Sequence, residues 1–215
     1  MAKILIFGDS QAAGAPGQSA ERSLKAAGHT VRRFGNVGRG PYDYVREPAL
    51  WSQYTAAIRE FNPDAVLAIF GSNDTANSAL EHAMIRIRDA VRPPVFFSGP
   101  PAYPDANANA RGSAIRDMAK RVWGDGRYID AWPWTGGSEG RARDGLHFTA
   151  QGGARWGEPL AAELLRRVTG SPLSAGHPRA DDGGGRSGSS RRPSARRGRD
   201  VVVAPAATAK EPAKP

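Results

Sequence analysis

KILIFGDSQAAG, residues Lys3 to Gly14, governs how the rest of the chain is read. A run of β-favouring, mostly apolar residues stops at Gly8, and Asp9 and Ser10 follow before a Gly/Ala-rich stretch. A short, continuously apolar run closed by a small-residue turn fits a strand buried on both faces. A serine delivered at the end of such a strand is either an ordinary turn residue or a nucleophile. The remaining sequence has to distinguish the two.

The run is the first of five. Strand-like segments are predicted at Lys3–Phe7, Thr30–Phe34, Ala65–Phe70, Pro94–Ser98 and Arg127–Asp130. Helical spacing is predicted at Ser19–Ala27, Pro48–Phe61, Ser78–Val91, Ala108–Trp123 and Ala150–Val168. Gly28 follows the first of these as a C-cap. Strand and helix in strict alternation mark a parallel sheet covered on both faces. The expected fold is α/β, a flavodoxin-like three-layer α/β/α sandwich with a five-stranded parallel sheet. Ligands of such sheets bind at the carboxyl ends of the strands, which places Ser10, Asn73 and the Gly99–Pro101 segment on one edge.

At 215 residues and 40% hydrophobic content there is room for one good-sized core and a remainder. The absence of cysteine excludes a disulfide framework, a thiol nucleophile and Cys-ligated zinc. The net charge is +9, and residues 171–215 hold nine Lys/Arg against four acids. That segment, rich in Gly, Ser, Arg and Pro, carries too little apolar surface to offset the entropy of ordering. The expected organisation is one domain at 1–170 and a disordered basic tail or linker at 171–215. The tail is read as a flexible tether, or as a non-specific contact to an anionic polymer such as nucleic acid, teichoic acid or phospholipid. No apolar run reaches the roughly 20 residues of a membrane span. No secretory leader is legible, so the expected location is the cytosol by default, or a protein released or virion-associated. Oligomeric state is not legible.

Four blocks carry chemistry: GDSQ at 8–11, GNVGRG at 35–40, GSND at 71–74 and DGLHFT at 144–149. Singly, each has a bland explanation as a turn, a cap or a Gly-rich loop. Together they hold the groups acyl transfer requires. A serine hydroxyl needs a base, which His147 supplies, and Asp144 in the same loop fixes its tautomer. The oxyanion needs donors, for which the Ser10 N–H, a glycine N–H from the 35–40 loop and the Asn73 amide are candidates.

In order and content these blocks resemble the SGNH hydrolase family, the GDSL-type esterases and lipases, over roughly residues 3–168. The resemblance implies a catalytic triad of Ser10, Asp144 and His147, with an oxyanion hole of Ser10, Gly38 and Asn73. GNVGRG fits the family pattern in two registers, so Gly40 is the alternative to Gly38. Gln11 departs from the usual leucine. Asp9 reads as a turn or cap residue, and His29, His82 and His177 have no assigned chemistry. No metal site is expected, and the family needs no cofactor. The expected function is a serine esterase, with a short acyl (acetyl) group on a glycan or other polar alcohol as substrate. This choice follows from the short body, the polar loops and the lack of any insertion long enough for a greasy lid. The rival is a catalytically inactive module of the same fold that binds glycan or anionic polymer with help from the tail.

Overall fold

The computed structural model describes residues 1–170, so the expectations for 171–215 lie outside the described residues. Strands β1 (Lys3–Gly8), β2 (Thr30–Arg33), β3 (Ala65–Ile69), β4 (Val95–Ser98) and β5 (Tyr128–Ile129) form one all-parallel sheet, in the order β2-β1-β3-β4-β5. The described helices are α1 (Ser10–Ala13), α2 (Ala15–Ala26), α3 (Pro41–Arg46), α4 (Pro48–Phe61), α5 (Ser78–Asp89), α6 (Ala106–Arg127), α7 (Trp132–Thr135) and α8 (Ala150–Gly170).

Successive residues of the central strands serve opposite cores. Leu5, Phe7, Val66, Ala68 and Phe97 pack with Tyr54 of α4, Met84 of α5, and Met118 and Trp123 of α6. Ile4, Ile6, Leu67 and Ile69 pack with Leu24 of α2 and with Trp156, Leu160 and Leu164 of α8. Helices therefore cover both faces and the fold is the expected three-layer sandwich. Each large apolar side chain so buried contributes about 1.5–3 kcal/mol. That is why β1 and β3 read as unbroken apolar runs. The edge strand β2 does not, because only Val31 of its four residues is buried.

Three short helices have no periodicity from which to predict them, since four to six residues make little more than one turn. Helix α3 begins with Pro41 just after Gly40, a start whose Gly/Pro content looks like loop. Helix α6 runs past its expected end through Gly124, whose φ of 62° and ψ of 174° break the helical path.

The order β2-β1-β3 reverses the direction of winding between β1 and β3, and a crevice opens at such a switch point. Gly8 is in register with Ile69, so the two strands end level. Gly8 has φ +153°, and a Cβ there would lie 1.9 Å from the Ile69 carbonyl oxygen. Only glycine lets the chain turn this close to its neighbour. Below the turn, the Phe7 ring meets Tyr44 and Phe70 edge-on at 5.5 and 5.6 Å, which gives the crevice a packed floor.

Candidate active site

The turn after β1 is organised by Asp9. Its carboxylate is fully buried, and Oδ1 accepts the Gln11 N–H at 2.8 Å, capping α1. Oδ2 accepts the Gly71 N–H and the Asn73 Nδ2–H, both at 2.7 Å, from the loop after β3. Burial pushes the Asp9 pKa from 3.8 up to about 7, although the Gln11 and Gly71 N–H groups and His147 pull it down. Ser10, the first residue of α1, is thus placed beside Asn73 by one side chain. One Asn73 Nδ2–H is held by Asp9 and the other is left for a ligand. Among the described residues no hydrogen bond takes the Ser10 N–H.

The third component arrives on the loop before α8. Asp144 Oδ1 accepts the Leu146 and His147 N–H groups, both at 2.9 Å, and this turn needs the left-handed Gly145 at φ +68°. The His147 carbonyl accepts the Ala142 N–H at 2.9 Å, and Arg141 pairs with Phe148 across a short antiparallel bridge. His147 Nδ1 then lies 2.6 Å from Asp144 Oδ2, and Nε2 lies 3.0 Å from Ser10 Oγ. The histidine contacts and the two N–H groups hold the Asp144 carboxyl far below the usual carboxylate range. An ionised Asp144 requires the proton on Nδ1, so Nε2 presents a lone pair to which the Ser10 hydroxyl donates.

Two residues that sequence reasoning left without a site role hold this loop in place. Gln11 is buried, and its Nε2 donates to the Leu146 carbonyl at 3.3 Å, joining the helix of Ser10 to the loop of His147. Arg141 donates to the same carbonyl at 3.0 Å and to the Ala102 and Thr135 carbonyls. Its guanidinium stacks on Phe148 at 3.8 Å, and burial pushes its pKa down. Gln11 is visible in sequence only as the departure from leucine. Arg141 has no signal there at all.

A cavity of about 80 Å³ opens on Ser10, and Asn73, Tyr103, Arg111, Leu146 and His147 stand around it. Ser10, Asn73, Asp144 and His147 are therefore brought together. Neither Gly38 nor Gly40 is among the residues lining that cavity. Their loop is nevertheless tied to the β1 turn, because Asn36 N–H and the Tyr44 hydroxyl both donate to the Gly8 carbonyl, at 2.9 and 2.7 Å. Gly38 is exposed with φ +73°, whereas the Gly40 N–H donates to Asp43 Oδ2 at 3.1 Å and begins α3. Among the described residues, no group of three or more His, Asp or Glu side chains could hold a metal ion, and no helix is long and apolar enough to cross a membrane.

The family model for GDSL-like lipases and acylhydrolases matches residues 6–155. No curated protein matches the chain in sequence. Among solved structures, the chain is similar to a carbohydrate esterase family 3 protein from Talaromyces cellulolyticus. That similarity has a TM-score of 0.56 at 16% identity, covering 80% of this chain and 100% of that one. A family two carbohydrate esterase from Cellvibrio japonicus gives 0.57 at 16% identity over 78% of this chain and 61% of that one. A two-domain esterase active on acetylated mannans, co-crystallised with mannopentaose, gives 0.59 at 16% identity over 78% and 50%. At these identities the likeness is one of fold.

Proposed function

Since the chain belongs to the GDSL-like lipase/acylhydrolase family and is a serine carboxylic ester hydrolase, we propose that Ser10 is its nucleophile and that its substrate is a short-chain, acetyl-type ester on a glycan or another polar alcohol. The observation that carries this reading is the relay from Ser10 Oγ to His147 Nε2 at 3.0 Å and from His147 Nδ1 to Asp144 Oδ2 at 2.6 Å.

In the proposed reaction the Ser10 oxygen attacks the ester carbonyl carbon while His147 Nε2 takes the hydroxyl proton. The imidazolium so formed is balanced by Asp144, which stays ionised. The carbonyl oxygen becomes an oxyanion, and the Ser10 N–H and the free Asn73 Nδ2–H donate to it. The third donor is the Gly38 N–H, with Gly40 as the alternative. The Gly40 N–H is already engaged by Asp43, which favours Gly38. Collapse of the intermediate breaks the bond to the leaving alkoxide, which takes the proton from His147. Water then attacks the acyl-Ser10 ester by the same sequence in reverse, giving the carboxylic acid and free Ser10.

The size and lining of the cleft support a short acyl group. The space of about 80 Å³ at Ser10, walled by Gln11, Asn73, Tyr103, Arg111, Leu146 and His147, is the size of a short acyl group. The resemblance in fold to esterases of acetylated polysaccharides supports a glycan as the alcohol.

The test uses wild type and Ser10→Ala on 4-nitrophenyl acetate and on the matching dodecanoate, with a fluorophosphonate label mapped by mass spectrometry. Hydrolysis of the acetate that Ser10→Ala abolishes, with the label on Ser10, is the expected result. Label elsewhere refutes the nucleophile, and equal rates on the dodecanoate refute the short-acyl reading.

A further inference from the structure

A second site adjoins the cleft. Helices α3 and α5 enclose a groove of about 430 Å³, and Tyr42, Arg46, His82 and Arg86 supply its polar and aromatic lining. Between this groove and the Ser10 cleft lies a hollow of about 320 Å³, which shares Asn73 with the cleft and Tyr42 with the groove. The three lie side by side, with the proposed nucleophile in the first and two guanidinium groups in the last.

The cations of the groove differ in how far the fold already engages them. Arg86 stacks on the Trp51 ring at 4.5 Å, which fixes its plane, and among the described residues no carboxylate pairs with it. Arg46 pairs with Asp43 and Glu47 at 3.3 and 3.5 Å and lies over the Tyr42 ring at 5.4 Å, while Glu47 is shared with Arg39 at 2.7 Å. His82 stands on the same side of α5 as Arg86, one turn earlier, and is exposed. No carboxylate lines the groove itself, although Asp74 stands in the adjoining hollow. A fixed guanidinium recognises a planar carboxylate through two parallel hydrogen bonds. Tyr42, 37% exposed at the junction, offers an aromatic edge to a sugar ring. On the opposite wall of the cleft Arg111, exposed and without a carboxylate partner among the described residues, extends the positive lining past Ser10.

We propose that the α3/α5 groove binds a carboxylate-bearing sugar residue of the substrate, held by Arg46 and Arg86 with Tyr42 against the ring, so that the preferred substrate is an acetylated acidic polysaccharide. This rests on the glycan-esterase reading above and adds the charge of the polymer to it. A tyrosine beside two guanidinium groups, near an acyl-sized cleft, suits a uronate-containing chain better than the evenly spaced phosphates of a nucleic acid.

The experiment compares full-length wild type with the Arg46→Ala/Arg86→Ala double variant, so that residues 171–215 contribute equally to both. Rates are measured on acetylated polygalacturonate, acetylated xylan and 4-nitrophenyl acetate. Binding of de-esterified oligogalacturonate, and of single-stranded DNA of equal charge, is measured by calorimetry in the Ser10→Ala background. The expected result is a KM about tenfold higher on the acidic polymer, equivalent to about 1.4 kcal/mol. KM on xylan and rates on the nitrophenyl ester should be unchanged, and the acidic-polymer preference should fade at high salt. Unchanged KM on the acidic polymer, an equal loss on xylan, or equal Arg-dependent binding of DNA overturns the proposal. If no ester is hydrolysed while oligogalacturonate binding still depends on Arg46 and Arg86, the esterase reading falls and the site stands.

Discussion

Asp9→Asn isolates what the buried carboxylate beside Ser10 contributes. The native carboxyl is driven from 3.8 to about 7 by complete burial, so between these values the folded protein holds a proton that the unfolded chain has released. Unfolding then releases a proton, and stability falls as pH rises through this window. The contribution is intact below about pH 3.8 and lost above about pH 7, and the span corresponds to at most about 4 kcal/mol. Asparagine is close in shape to the protonated acid and does not titrate. Between pH 4 and pH 8 wild type should therefore lose up to about 4 kcal/mol relative to the variant, on top of a pH-independent cost to the variant of about 1–3 kcal/mol for the donor its amide leaves unpaired. Urea unfolding of both proteins at steps from pH 4 to 8 and constant ionic strength measures the difference. Activity at pH 8 should move the other way. The amide has one acceptor oxygen for the three donors from Gln11, Gly71 and Asn73. Either α1 loses its cap or Asn73 loses its anchor, and kcat should fall at least about tenfold, since oxyanion donors act only when positioned. A stability difference that is flat with pH would refute the reasoning, because it would mean that the three donors outweigh burial and Asp9 is ionised throughout.

Two other substitutions follow from the same geometry. Asn73→Ala should lower kcat about 10²- to 10³-fold on 4-nitrophenyl acetate with little change in KM, as removal of one oxyanion donor does, and should cost about 1–2 kcal/mol of stability because Asp9 loses one of its three donors. A change confined to KM would assign Asn73 to substrate binding instead. Gln11→Ala should release the Leu146 carbonyl from α1, with about a tenfold fall in kcat and faster amide exchange over 144–148, since a misplaced base loses much of its effect. Gln11→Glu, which cannot donate that bond, should behave alike, whereas native kcat in both would leave Arg141 as the sole anchor of the loop.

What the sequence made legible was what local chemistry determines. Apolar runs such as VLAIF are strands buried on both faces, and their alternation with helices implies a parallel sheet covered on both sides; the order β2-β1-β3-β4-β5 is seen only in the fold. Ser10, Asn73, Asp144 and His147 were legible as candidates because acyl transfer needs those functional groups, and strand ends are where a parallel sheet presents them. Gln11 and the second role of Asp9 were not, because each acts through a partner distant in the chain; Arg141 was not, because its partners, from Leu146 five residues on to Ala102, are backbone carbonyls that carry no residue signature. Gln11 reaches 135 positions to Leu146, Arg141 reaches 39 to Ala102, and Asp9 reaches 62 and 64 to Gly71 and Asn73. No window of sequence contains such a pair. The cap on α1 was foreseeable from Asp9 preceding a helix start, but the second oxygen of that carboxylate was free to go anywhere. It goes to Asn73 and to the Gly71 N–H, which the level ends of β1 and β3 bring beside it, because a buried carboxylate without donors is costly. The residue that ends the first strand thus sets the spacing between the serine and the amide, and the strand register is what makes a turn residue into part of the site.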